Sequence, residues 1–160
     1  MIERDRIQSP FPIRQYEVLL IEDNPADMRL VEYALLQCEL PFRLHWVEDG
    51  IDALLFLHRK DRFARSPSPD LIFLDWNLPG KHGSEVLDVI KESPVLRRIP
   101  VVVVSGIDAP AEIARAYKSY ANCFIVKGLD LTGPVRTAAS FWLRVASLPA
   151  PPHSSNHRPF

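Results

Sequence analysis

Between Asp70 and Gly83 the chain reads Asp-Leu-Ile-Phe-Leu-Asp-Trp-Asn-Leu-Pro-Gly-Lys-His-Gly. Four apolar residues, Leu71 to Leu74, lead into Asp75, and Asn77, Pro79, Gly80 and Gly83 then break the pattern. A short continuous apolar run bounded by turn residues is the mark of a strand covered on both faces, as in a parallel sheet. Asp75 then stands at the carboxyl end of a buried strand, the edge of an open α/β sheet at which ligands bind. Taken alone it is most simply a turn-opening aspartate. The alternatives are a nucleophile or a metal ligand.

Three other stretches end in the same way. Tyr16 to Pro25 is an apolar run that stops on Glu22 and Asp23, Ile99 to Gly106 stops on the hydroxyl of Ser105, and Cys123 to Gly128 stops on Lys127. Parallel strands would carry all four ends to one edge, which would then hold three carboxylates, one hydroxyl and one ammonium. Strand formation does not require that set. Carboxylates so placed repel one another, and one takes up a proton near neutral pH unless a cation intervenes. Hard oxygen donors with room for water suit Mg²⁺. Each residue also has a plainer reading: Glu22 a strand-end acid, Asp23 a helix cap, Asn77 a turn amide, Ser105 a turn hydroxyl and Lys127 a solvated lysine.

Between these runs the pattern turns helical. Asn24 and Pro25 suit the N-cap and first position of a helix, whose apolar face combines Leu30, Val31, Ala34, Leu35 and Cys38. Phe42 to Val47 is a strand. Ile51, Leu54, Leu55 and Leu57 mark a second helix, and Arg59 to Pro69 a long loop. Further helices are expected over Ser84 to Lys91, Asp108 to Tyr120 and Leu131 to Leu148. On the last of these, Leu131, Val135, Ala138, Trp142 and Val145 share one face. Residues 1–15 read as an arm, 16–148 as one domain and 149–160 as a Pro-rich tail. Strands alternating with helices imply a parallel sheet with helices on both faces. The composition, 47% apolar and 24% charged with a net charge of −1, is that of an ordinary globular chain with no bias toward nucleic acid. No run is long enough to span a bilayer, and the mixed-charge start lacks a signal-peptide core, so the cytoplasm is expected. Glycine-rich phosphate loops are absent, since none of the 6 Gly follows the first strand.

In this order and at these intervals the residues resemble the receiver domain of bacterial two-component response regulators, over roughly Tyr16 to Leu148. The segments Glu-Asp-Asn-Pro-Ala-Asp from Glu22, Leu-Asp-Trp-Asn-Leu-Pro from Leu74 and Ala-Asn-Cys-Phe-Ile-Val-Lys from Ala121 are most similar to small stand-alone regulators that partner phytochrome-type histidine kinases. The resemblance implies a flavodoxin-like, doubly wound five-stranded parallel sheet of order 2-1-3-4-5 with five helices. It implies Asp75 as the acceptor of a phosphoryl group from a histidine kinase, a bacterial phytochrome in the finer match. It also implies Mg²⁺ held by Asp23 and Asp75, by Glu22 through water and by the backbone carbonyl of Asn77. Lys127 would pair with one phosphoryl oxygen and Ser105 would hydrogen-bond another. Phe124 matches the family's switch aromatic, which moves with Ser105; its alternative is an ordinary core residue.

Two residues depart from the family pattern. Gly128 stands where receivers usually carry Pro, so no ring fixes the turn after Lys127. Trp76 replaces the commoner aliphatic residue and is expected to point away from Asp75 by strand alternation. Two other functions compete. An Asp75 phosphatase would want a second acid two residues on, where Asn77 stands, and a phosphorylation-independent adaptor would not need the acid set. The expected output is a protein surface, because 160 residues leave no room for a DNA-binding module. Phe141 lies about 100° round the helix from Trp142, off the core face. Related receivers dimerise through the fourth helix, fifth strand and fifth helix, so Phe141, Tyr117 and Tyr120 are expected on a homodimer or partner face.

Overall fold

A computed structural model describes residues 14–148. The expected arm lies almost wholly, and the expected tail wholly, outside these residues. Five strands alternate with five helices: β1 Tyr16–Ile21, α1 Pro25–Leu36, β2 Phe42–Val47, α2 Gly50–Leu57, β3 Leu71–Asp75, α3 Gly83–Glu92, β4 Val101–Ser105, α4 Pro110–Lys118, β5 Cys123–Val126 and α5 Thr132–Ala146. The sheet order is β2-β1-β3-β4-β5 and every neighbouring pair is parallel. This is the flavodoxin-like order that the receiver resemblance implies. A 3₁₀ turn at Asp61–Phe63 interrupts the long loop, and another, Leu96–Arg98, leads into β4.

Strand alternation divides the core. Leu19, Ile21, Ile72, Leu74, Trp76, Val101 and Val103 face one way, against residues of α2, α3 and α4. Val18, Leu20, Leu71, Phe73, Val102 and Val104 face the other, against α1 and α5. β3 and β4 are buried along their whole length, which is why they read as unbroken apolar runs. α1 starts as expected, with the Asn24 side chain accepting from the amides of Ala26 and Asp27 and Pro25 in the first turn.

Three helices bury narrower or shifted apolar stripes than expected. Leu30 of α1 and Ile51 of α2 are exposed, while Ala53, Phe56 and Leu57 carry the α2 core face. On α5, Leu143 and Ala139 are buried with Leu131, Val135 and Ala138; Val145 is exposed and Trp142 only half-buried. The face is thus centred a residue away from the expected one. α4 is shorter than expected, ending at Lys118. Tyr120 lies beyond it with φ 64°, in the left-handed region. The Tyr120 amide donates to Tyr117 O and the Ala121 amide to Ala116 O, the bond pair that closes a helix with a left-handed residue, usually glycine.

Candidate functional site

The carboxyl ends of β1, β3 and β5 meet at one edge of the sheet. β1 runs into Glu22 and Asp23, and its backbone is held there by two bonds: the Glu22 amide donates to Val47 O, and the Trp46 indole donates to Glu22 O at 2.7 Å. β3 ends on Asp75. The close turn behind it depends on Gly83, where an added Cβ would lie 2.5 Å from the Asp75 carbonyl oxygen. The Gly83 amide donates to Trp76 O, and His82 caps α3 through its Nδ1. α3 can therefore begin directly against the end of β3.

One oxygen from each of Glu22, Asp23 and Asp75 lies within 4.8 Å of the others. Glu22 and Asp75 are buried, at 2% and 5% exposure, and Asp23 is open to solvent. Asp75 accepts from the Asn77 amide on Oδ1 at 3.0 Å and from Lys127 Nζ on Oδ2 at 3.1 Å. Lys127 Nζ also donates to Glu22 Oε2 and to Asp27 Oδ2, each at 2.8 Å. Burial pushes the Glu22 carboxyl up to about 7, with the Asp75 charge adding to the rise and the Lys127 and Asn24 hydrogen bonds opposing it. Burial alone would lower Lys127, but its bonds to Asp27 and Glu22 and the nearby Asp75 charge outweigh that and hold it above the usual lysine range. Acids outnumber the one cation here, and the donors are all hard oxygens, so the set suits a small divalent cation.

Ser105 ends β4, fully buried, with its Oγ accepting from the Ile107 amide and its carbonyl accepting from the Lys127 amide at 2.7 Å. Phe124 pairs in register with Val103, two residues before Ser105. Its half-buried ring packs on the α2–α3–α4 side of the core, edge-on to Trp76 with centroids 6.4 Å apart. Trp76 is fully buried and does point into that core. Its Nε1 donates to Glu112 Oε2 in the first turn of α4 at 2.6 Å.

Tyr117 and Tyr120 are exposed, and the Tyr117 hydroxyl accepts from the Phe124 amide. Phe141 is exposed and packs edge-on to Trp142. It lines a groove of about 880 Å³ between β5 and α5, with Phe124, Val126 and Trp142. Tyr117 and Tyr120 line a separate groove with Lys91, Arg97 and Arg98. Asn122 borders both.

Two neighbours of the acids escaped the sequence reading. Asp27 looks like an ordinary first-turn helix acid; its place at the end of the Glu-Asp-Asn-Pro-Ala-Asp segment is the signal that could have found it. Trp46 looks like a plain strand residue and carries no signal.

An open sheet of this order with an acid cluster and a lysine at its carboxyl edge defines a receiver domain. The family model for the response regulator receiver domain matches residues 18–133, and the chain belongs to that family. It is thus a receiver-domain response regulator of two-component signalling. It is similar to response regulator Rcp1 of Synechocystis sp., 40% identical over 83% of this chain and 92% of that protein. It also matches the crystal structure of the phosphorylated cyanobacterial phytochrome response regulator RcpA, with TM-score 0.80 and 40% identity over 86% of this chain and 100% of the other. The Mn²⁺-bound form of Rcp1 matches with TM-score 0.78 and 39% identity over 84% and 99%. No helix among the described residues is long and apolar enough to cross a membrane.

Proposed function

We propose that this response regulator accepts a phosphoryl group on Asp75 from a histidine kinase and answers with a changed protein-interaction surface. The observation that carries this reading is the convergence of Glu22, Asp23, Asp75 and Lys127 at one strand edge. An Asp75 carboxylate oxygen forms the new P–O bond as the P–N bond of a phosphohistidine breaks, and the imidazole nitrogen leaves with that electron pair and takes up a proton. Bound Mg²⁺ supplies the charge neutralisation that lets a carboxylate meet a phosphoryl group. Glu22, Asp23, Asp75 and the Asn77 carbonyl would hold it, and the Mn²⁺ form of Rcp1 supports the metal. Lys127 pairs with one phosphoryl oxygen and the Ser105 hydroxyl donates to another.

Ser105 and Phe124 then act as the switch. They lie on the same side of the sheet, and Phe124 touches Trp76, which is bonded to α4. Carrying the chain from mostly off to mostly on takes about 5.5 kcal/mol of differential stabilisation, which charge-assisted hydrogen bonds to a phosphoryl group can supply. The exposed Tyr117, Tyr120 and Phe141 form the partner face, used by a second copy in a two-fold dimer. The relatives' phytochrome association favours a bacterial phytochrome as the kinase and the cytoplasm as the setting.

Incubation with Mg²⁺ and acetyl phosphate tests the central step. Wild type should gain one phosphoryl mass that hydroxylamine removes, and Asp75→Asn, isosteric but not nucleophilic, should gain none while keeping its fold. Hydroxylamine-sensitive labelling of Asp75→Asn would move the acceptor elsewhere.

A further inference from the structure

Asp27 has no part in the chemistry above, yet it is as close to Lys127 as Glu22 is. A lysine ammonium has three N–H donors and no acceptor. Here Glu22, Asp27 and Asp75 account for all three, at 2.8, 2.8 and 3.1 Å. We propose that Asp27 is the positioning residue of Lys127, keeping its ammonium beside Asp75 when the other two carboxylates are drawn into other bonds. The inference rests on the reading of Asp75 as phosphoacceptor for its purpose, though not for its geometry.

The three partners differ in what else they must do. Asp75 loses its own charge once it becomes an acyl phosphate, so its share of Lys127 passes outward to a phosphoryl oxygen. Glu22 has Oε1 taken by the Asn24 amide at 3.0 Å and Oε2 by Lys127, and its carboxylate also belongs to the converging acid group. A cation there, directly or through water, competes with the lysine for the Glu22 carboxylate. Asp27 is outside the converging group, and among the described residues its carboxylate bonds to Lys127 alone. It is the one partner that need not change.

Its backbone is anchored as well. Asp27 sits in the first turn of α1, with its amide capped by Asn24 Oδ1. On the other side, the Lys127 backbone is fixed by its amide bond to Ser105 O, and β5 ends one residue earlier. Beyond it come Gly128, whose added Cβ would meet nothing within 4 Å, and the fully exposed Leu129. The chain just beyond Lys127 adds nothing that holds it, so a charge-assisted bond from a helix helps to fix its tip. The simpler account makes Asp27 a first-turn acid that favours the helix dipole. That account leaves Lys127 indifferent to its removal.

Two readouts separate the accounts. The first uses metal-free, phosphate-free protein and the ¹H–¹⁵N spectrum of lysine ammonium groups. An ammonium with all three protons bonded exchanges slowly with water, so Lys127 should give a cross-peak, assigned by its absence in Lys127→Met. The peak should vanish in Asp27→Asn and return in Asp27→Glu. The second measures beryllofluoride, a phosphoryl mimic, binding with Mg²⁺ present. Asp27→Asn should weaken it on the order of tenfold, the scale of one charge-assisted hydrogen bond, while Mg²⁺ affinity alone changes less. A retained cross-peak with unchanged beryllofluoride affinity in Asp27→Asn would overturn the proposal. Tighter beryllofluoride binding would overturn it too, by making Asp27 a competitor that withdraws the lysine. If wild type binds no beryllofluoride while the cross-peak still depends on Asp27, the phosphoacceptor reading fails and the tether stands.

Discussion

At the ends of β1 and β3 the molecule buries charge; along α4, β5 and α5 it exposes apolar surface. Glu22 and Asp75 are almost inaccessible, whereas Phe141 is 58% and Tyr120 76% exposed. Both arrangements invert the usual partition, but they are offset differently. A buried charge is tolerated when paired and hydrogen-bonded. No described buried side-chain nitrogen or oxygen lacks a hydrogen-bond partner. The acid edge is therefore satisfied within the chain, with negative charge to spare. The aromatic face has no such internal offset and gains only by contact with something else. β5 joins the two: Ile125 packs with the α1–α5 side and Lys127, two residues on, reaches the acids, while Phe124 packs toward α4.

If the acid edge depends on its single cation, Lys127→Ala should have the largest effect. Removing one partner of a buried ion cluster costs about 3 kcal/mol, read as a lower unfolding midpoint in denaturant without metal at pH 8. With the cation gone Glu22 holds a proton to still higher pH, so the loss should shrink as the pH falls toward about 7 and level off below it. Added Mg²⁺ should also restore stability. An equal loss at every pH, with or without Mg²⁺, would mean that packing of the lysine stem and not charge is at stake. Gly83→Ala comes next. Its Cβ would meet backbone atoms of Asp75 and Trp76 at 2.5 to 2.9 Å, an overpacking cost of about 1–3 kcal/mol. It should lower both thermal stability and Mg²⁺ affinity, whereas a change confined to the aromatic face would lower neither.

The raised Glu22 carboxyl gives the edge a sign in pH. Its folded value, about 7, lies above the ordinary 4.5, so the folded state binds this proton more tightly than the unfolded state. Metal-free protein should therefore lose stability as pH rises from about 4.5 through 7. Mg²⁺ must displace the same proton, so its affinity should fall by about tenfold per pH unit below 7 and level off above it. Isothermal titration across pH 5.5–8.5 checks this (a window set by the ~1 unit spread of carboxyl values). An affinity flat over that window would leave Glu22 ionised throughout.

The strands and the acid edge were legible because burial on both faces forces unbroken apolar runs, and strand ends are marked by the first residue that breaks them. Ser105 and Lys127 were legible for the same reason. Side-chain direction on helices was less so. Leu30, Ile51 and Val145 are apolar yet exposed, and a stripe drawn through every apolar residue cannot separate them from Val31, Ala53 and Leu143. Asp27 was invisible because an acid in a first turn is favoured by the helix alone, so its type carries no trace of a partner 100 residues away. The left-handed Tyr120 was invisible too, since the position normally announces itself with glycine.

Tyr120 offers the smallest and sharpest test of the aromatic face. A non-glycine residue in the left-handed region costs about 1 kcal/mol, and Tyr120 is held there while 76% exposed as a residue. Within one chain that ring returns little for the strain. Tyr120→Gly keeps both closing bonds of α4, since they come from backbone amides. In dilute protein it should raise stability by up to about 1 kcal/mol, a shift of a few degrees in Tm. If the ring instead serves contact between copies, the same substitution should weaken self-association, as should Phe141→Asp, which leaves Tyr120 in place. Sedimentation at tens of micromolar, a range set by the ~1 μM to 1 mM affinities of modest interfaces, reads that second effect. Higher stability together with weaker association would identify Tyr120 as strain retained for a partner. Higher stability with a wild type that stays monomeric, phosphorylated or not, would remove the two-fold dimer and leave the aromatic face to a different protein.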